Sequence, residues 1–236
     1  MMQAAPLYLL PGLICNEHIW AAQLRALVDF ELVAVPGYDS DRSLVTMAAR
    51  VLASAPEKIS LVGHSMGGRV ALEMFRMAPD RIERLALLDT GVHPTKPGEE
   101  DKRMALLEIG RQKGMEALVD LWLPPMVHPD RRSDDSFMAP LRRMCVSAGI
   151  QQFEDQIIAL LGRTNQRPVL SEIKCPTLVA VGSEDVWSPV SQHREIAAEI
   201  QDAEIVIFEG AGHMAPAEEP DQVSEALRQW LERDAS

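Results

Sequence analysis

The chain alternates short apolar runs with longer stretches that carry apolar residues at helical spacing. The first runs cover residues 6–10, 32–35, 59–62 and 82–88, and the first two close on Pro11-Gly12 and Pro36-Gly37. Runs this short, partly β-branched and bounded by turn residues, predict strands buried on both faces. Between them Ile19, Trp20, Leu24, Leu27 and Val28 share one helix face behind Asn16, and Leu44, Met47, Ala48, Val51 and Leu52 share another behind Ser43. Asn and Ser are good N-caps because their side chains accept from free first-turn amides. Residues 66–77 repeat the helical pattern with Val70, Leu72, Met74 and Phe75.

From residue 92 to about 174 the strand pattern disappears, and helical patterns cover 99–113, 115–123, 136–148 and 151–161. The strand rhythm resumes at 177–181 and 205–208, with helices at 190–200 and 221–231. Strands alternating with helices predict the α/β class: a mostly parallel sheet of about six strands with helices on both faces. The expected division is a core of residues 1–91 and 175–236, with 92–174 as a helical insertion above one sheet edge.

Length and composition narrow the picture. A chain of 236 residues, 47% hydrophobic and 25% charged, suits one large domain or one domain with an insertion. A formal net charge of -12 leaves no basic footprint for nucleic acid or an anionic membrane surface. Cys15, Cys145 and Cys175 are scattered and form no C-x-x-C, so neither a zinc site nor a disulfide framework is expected. No basic region leads into a long apolar run. A cytoplasmic protein with no metal, no organic cofactor, no nucleic-acid partner and no membrane partner is expected. The pattern selects no oligomeric state.

The third strand runs straight into its helix through Gly63-His64-Ser65-Met66-Gly67. This G-x-S-x-G spacing suits a turn so sharp that side chains at its glycines would clash, with the serine held strained above the sheet edge. A glycine-rich turn with a chance serine fits equally well until partners are found. A serine hydroxyl needs a base, and the base needs an acid that fixes its tautomer. Asp185 follows the fifth strand and His213 the sixth, so the order is Ser65, Asp185, His213. Ligands of such sheets bind beyond the C-terminal strand ends, where all three fall.

With these residues in view, the chain resembles an α/β-hydrolase fold protein over nearly its whole length. The marks are Gly63-His64-Ser65-Met66-Gly67-Gly68, Pro176-Thr177-Leu178-Val179 leading to Gly182-Ser183-Glu184-Asp185, and Gly212-His213-Met214 with Glu218 and Pro220 behind. The resemblance implies a helical cap at 92–174 and a sheet lacking the family's first strands. It implies Ser65, Asp185 and His213 as catalytic triad and the amides of Leu13 and Met66 as oxyanion donors, each such donor contributing ~3 kcal/mol in the transition state. The family often has His-Gly before the first donor, and here Pro11-Gly12 stands. Trp20 matches a tryptophan common after this loop; it is counted with Leu121, Trp122 and Met126 as a substrate-lining candidate, beside a plainer reading as packing. Met104 and Leu118 are further cap residues that could line an apolar pocket.

Asp89 also ends a strand and is an alternative acid, though the Gly-x-x-Asp context favours Asp185. His64 is expected to pack behind the nucleophile, His93 to lie on a surface loop and Cys15 to fill space. His18, His128 and His193 have no partner pattern. Arg131, Arg132, Arg142 and Arg143 read as a solvated face. The leading expectation is a serine esterase acting through an acyl-enzyme on a small or medium, partly apolar ester or acyl substrate. Alternatives are the menaquinone-pathway lyase, whose elbow Ser-Met-Gly-Gly-Arg resembles, with the cap arginines binding substrate carboxylates; a carbon–carbon bond hydrolase of diketones; and a non-catalytic ligand-binding member.

Overall fold

Among residues 5–233, which the computed structural model describes, six strands form one sheet. They are β1 (Leu7–Leu10), β2 (Leu32–Ala34), β3 (Ile59–His64), β4 (Ile82–Leu88), β5 (Thr177–Gly182) and β6 (Glu204–Phe208). The order across the sheet is β2-β1-β3-β4-β5-β6, and each neighbouring pair is parallel. β1, β3 and β5 are buried at every position, whereas edge strands β2 and β6 are only partly buried. Successive strand residues point to opposite faces, so continuous burial means that both faces are covered. That is why these strands read as largely apolar runs.

The helices are α1 (Ala21–Ala26), α2 (Leu44–Ser54), α3 (Met66–Met77), α4 (Glu99–Lys113), α5 (Met115–Trp122), α6 (Asp135–Ser147), α7 (Gly149–Leu161), α8 (Arg167–Leu170), α9 (Val190–Glu199), α10 (Ala215–Glu218) and α11 (Pro220–Glu232). Ser43 caps α2 by accepting from the Thr46 amide at 3.1 Å. The first helical pattern behaves differently from expectation. Asn16 caps a 3-10 turn at Glu17–Trp20, α1 ends at Ala26, and Val28 is 70% exposed. Once the helix stops, its period no longer governs which residues turn inward. The four-residue helices α8 and α10 are too short to display a period and were not foreseen.

Between β4 and β5 the chain is helical. α4 packs on α5 and α7, and α5 packs on α6. α4, α5 and α7 meet closely at Gly110, where an added Cβ would lie 2.5 Å from Ile150 Cδ1 and 2.7 Å from Leu118 Cδ1. Leu107 and Gly110 form the buried stripe of α4, so Met104, off that stripe, is exposed. No described helix is long and apolar enough to cross a membrane.

Because all strands are parallel, β3, β4, β5 and β6 end on the same sheet edge, which gathers Ser65, Asp89, Asp185 and His213. The tightest packing lies under that edge. A Cβ on Gly67 would overlap the Leu10 carbonyl of β1, and one on Gly63 would overlap the Gly67 carbonyl. Gly67→Ala should therefore cost ~3 kcal/mol or more, because backbone must move. Gly162→Ala, where the nearest atom is 3.4 Å away, should stay within about 0.5 kcal/mol of wild type. Urea unfolding of both variants checks this; similar midpoints for the two would contradict the packing account.

Candidate active site

Ser65 sits at φ 55° and ψ -115°, a strained region for a residue with a Cβ. The surroundings hold it there. Its amide donates to the Leu88 carbonyl at 2.9 Å, and its carbonyl accepts from Thr90 Oγ1 at 2.6 Å and from the Gly68 amide at 3.1 Å. The Thr90 amide in turn donates to His193 Nε2 at 2.9 Å. His193, to which sequence reasoning assigned nothing, is fully buried and ties α9 to the turn at Ser65 through Thr90. A single buried histidine on a helix gives no pattern from which this bond could have been foreseen.

Ser65 Oγ lies 2.8 Å from His213 Nε2, and His213 Nδ1 lies 2.7 Å from Asp185 Oδ2. The other Asp185 oxygen accepts from the amides of Trp187 at 2.8 Å and Ser188 at 2.9 Å. Burial alone would raise the Asp185 carboxyl. Attraction to His213, the bond to its ring and the two amides outweigh that and hold it below its ordinary range. Asp185, not Asp89, is the carboxylate that meets His213. Asp89 is fully buried at φ 49° and accepts from the Gly182 amide at 2.9 Å, bracing the ends of β4 and β5. Burial raises its carboxyl well above the ordinary range, and the neighbouring Asp185 charge adds to the rise. Two adjacent carboxyls are thus pushed apart, which favours ionised Asp185 and neutral Asp89.

His64 does more than fill space behind the turn. Its Nε2 lies 2.7 Å from the His213 carbonyl oxygen, so the residue before Ser65 holds the backbone of His213. Burial, and then the nearby His213, depress its pKa to about 3, which keeps it neutral and leaves Nε2–H to donate. Beside Ser65 runs the loop at Pro11-Gly12-Leu13; a Cβ on Gly12 would lie 3.2 Å from Ser65 Cβ. The loop is braced by Tyr38 Oη donating to Pro11 O at 3.0 Å and by the Ile14 amide donating to Gln156 Oε1 of α7 at 2.7 Å. Among the described residues, the amides of Leu13 and Met66 meet no acceptor.

The substrate-lining candidates scatter. Trp20 is fully buried and meets the His64 ring edge-on at 6.2 Å between centroids, so it packs beneath the turn rather than lining an open site. Leu121 is 56% exposed. α5 buries Leu118, Val119 and Trp122, and Leu121 falls with Asp120 on the outer face, which the apolar pattern alone did not separate. Leu118 is buried in the packing against Gly110. Trp122 and Met126 are buried, and the Met126 carbonyl accepts from the His213 amide at 2.8 Å. Sequence reasoning missed Trp187, which follows Asp185 closely, is half exposed and donates from its indole to Pro125 O at 3.3 Å.

The remaining candidates are engaged elsewhere. Cys15 is buried against Cys145, and the contact with that thiol and burial raise its pKa well above the ordinary value. Arg131 pairs with Glu219 at 2.8 Å, Arg142 with Asp120 at 2.6 Å, and Arg132 Nε donates to Val127 O at 3.0 Å. Buried Arg69 donates to the His93 carbonyl at 3.1 Å; burial, with Arg163 beside it, lowers its pKa to about 9. A cleft of about 380 Å³ lies where the helical segment joins the core, between Val92, Pro94, Leu170 and Ile196, and another of about 360 Å³ lies between α5 and α6. Neither borders Ser65, Asp185 or His213. Among the described residues no three His, Cys, Asp or Glu side chains are grouped to hold a metal ion.

Comparison with known proteins fits this arrangement. A model of the alpha/beta hydrolase family matches residues 7–226. The 2-hydroxy-6-oxononadienedioate/2-hydroxy-6-oxononatrienedioate hydrolase of Escherichia coli O139:H28 is 27% identical over 222 residues, covering 86% of this chain and 76% of that protein. A thermophilic esterase from Thermogutta terrifontis superposes with a TM-score of 0.88 at 28% identity, over 97% of this chain and 90% of that one. The enol-lactonase of Burkholderia xenovorans LB400 shares the fold, with a TM-score of 0.85 at 24% identity over 98% and 92% of the two chains.

The buried imidazoles make stability depend on pH. His64 is depressed to about 3 and His193 to about 4, chiefly by burial. In the unfolded chain both bind a proton near 6.5. Between those values the unfolded state holds more protons, so stability is complete above about 6.5 and is lost as pH falls toward about 4. Tm measured by calorimetry should be level above neutrality and drop through that window. His64→Gln keeps an amide N–H to donate but cannot titrate, so its drop should be smaller. An equal or steeper drop in the variant would contradict the assignment.

Proposed function

Because the chain belongs to the alpha/beta hydrolase family, we propose that it hydrolyses a small or medium, partly apolar carboxylic ester through Ser65, His213 and Asp185. The observation that carries this is the continuous row of hydrogen bonds, 2.8 Å from Ser65 Oγ to His213 Nε2 and 2.7 Å from His213 Nδ1 to buried Asp185. A serine proton needs an acceptor at that distance, and the acceptor needs a fixed tautomer. The Asp185 carboxylate, held by the Trp187 and Ser188 amides, takes Nδ1–H and leaves Nε2 as base.

Ser65 Oγ attacks the acyl carbonyl as His213 Nε2 takes its proton. The carbonyl oxygen becomes an oxyanion between the amides of Leu13 and Met66, whose lack of an acceptor among the described residues suits them to this role. Collapse expels the alcohol, which receives the proton from His213, and leaves an acyl-serine. Water then repeats the sequence with His213 again as base, releasing the acid and restoring Ser65. Residues 92–174 form the cap in this reading, with buried Trp122 and Met126 as the apolar side chains proposed to meet the acyl or alcohol part. No cofactor takes part in these steps.

A second reading, hydrolysis of a carbon–carbon bond beside a ketone by the same three residues, is favoured by the relative named for a dienedioate and a trienedioate. A doubly anionic substrate needs cations near Ser65. The pairing of Arg131 and Arg142 with carboxylates supports the neutral ester instead.

Turnover of p-nitrophenyl esters of graded acyl length tests the proposal. Wild type should favour short to medium chains, and Ser65→Ala and His213→Ala should each lose at least ~10³-fold in kcat. Wild type and Ser65→Ala equally slow on every ester would refute it. Cleavage of a vinylogous 1,5-diketone without ester turnover would establish the second reading.

A further inference from the structure

His213 is held by its backbone as firmly as by its ring. Its amide donates to Met126 O at 2.8 Å and its carbonyl accepts from His64 Nε2 at 2.7 Å. On either side, the amides of Gly212 and Met214 both donate to Glu218 Oε1 at 3.0 Å. The other oxygen of the same carboxylate accepts from the His128 amide at 2.7 Å. Glu218 is 0% exposed. A carboxylate buried this completely is costly unless its oxygens are satisfied, and here three backbone amides satisfy them.

The three amides come from two places. Gly212 and Met214 flank the base residue, while His128 belongs to the helical segment between β4 and β5. The two strips of backbone touch: a Cβ on Gly212 would lie 2.8 Å from the His128 amide nitrogen and 2.9 Å from the Met126 oxygen. The Arg131–Glu219 pair and the Trp187–Pro125 bond close the seam on either side. Segment 125–128 therefore cannot shift while the His213 loop stays in place, since a shift would strip the His213 amide of its acceptor and Glu218 of one donor.

We propose that Glu218 is a positioning residue that sets His213 against Ser65 and makes the placement of the base depend on the helical segment seated at residues 126–128. This rests on the reading of His213 as the general base. Glu218 touches neither substrate nor the reacting atoms. It acts through Gly212 and Met214, and it transmits the position of the cap to the base through His128. A displacement of about 1 Å at a reacting group costs on the order of 10²-fold in rate, so a clasp at this point governs kcat more than substrate affinity.

Glu218→Gln in the full chain tests the clasp. The variant keeps the volume, but its amide NH₂ must face one of the three N–H donors. Ester kcat should fall by about 10- to 100-fold with KM within about twofold. Backbone hydrogen exchange should rise together at residues 126–128 and 212–214. Ile173→Val, a buried change elsewhere, is the stability control: it should lower Tm without moving kcat or this exchange. An unchanged kcat in Glu218→Gln, a loss matched by Ile173→Val, or exchange rising in the His213 loop alone would overturn the proposal. Should wild type turn over no ester, the reading of the site fails, while the paired exchange still decides whether Glu218 joins the two segments.

Discussion

A methyl group on Gly67 would overlap the carbonyl of Leu10, and this close approach of helix α3 to strand β1 is the constraint on which the rest of the site depends. It lets α3 start directly after β3, with Gly63 making room on the other side. The cost of the approach is concentrated at Ser65, whose backbone is forced to a φ of 55°. Leu88, Thr90 and Gly68 then hold that backbone by hydrogen bonds. The hydroxyl stands clear of the sheet edge because the backbone beneath it has no alternative. Among the described residues, the first-turn amide at Met66 is left without an acceptor by the same geometry.

The electrostatics follow from which carboxyl is paired. Asp89 and Asp185 lie next to each other, and two like charges so close raise the cost of ionising both. The pairing with His213 and two amides favours ionised Asp185, while burial keeps Asp89 toward its neutral form. His64 and His193, both buried and depressed, serve as neutral donors and acceptors rather than as bases. Only His213 has one ring nitrogen on a carboxylate and the other on the serine.

Much of this was legible in the sequence. The central strands β1, β3 and β5 announce themselves because burial on both faces demands largely apolar runs, and the flanking strands follow from their alternation with helices. Ser65, Asp185 and His213 are singled out because chemistry at a parallel sheet collects at strand ends. The bonds that hold them were not legible. His64 and His193 each bond a backbone atom of a residue far away in sequence, and Glu218 joins two nearby amides to that of distant His128; no local spacing encodes bonds to distant backbone. The helical segment was readable as helical but not in its packing. Gly110 decides which face of α4 is buried, and apolar periodicity counts side chains, so it cannot weigh a residue that packs by lacking one. Met104 and Leu121 consequently read as inward and are exposed. Trp20, read both as a lining candidate and more plainly as packing, packs edge-on against His64.

The central claim is that the geometry around Ser65 activates its hydroxyl, and that activation depends on His213. The most direct measurement is mass spectrometry of the intact protein, and of its peptides, after brief exposure to a fluorophosphonate. The account requires one adduct per chain, located on Ser65, forming rapidly in wild type and at least ~10³-fold more slowly in His213→Ala. No adduct, an adduct on another residue, or equal labelling rates in wild type and His213→Ala would contradict it.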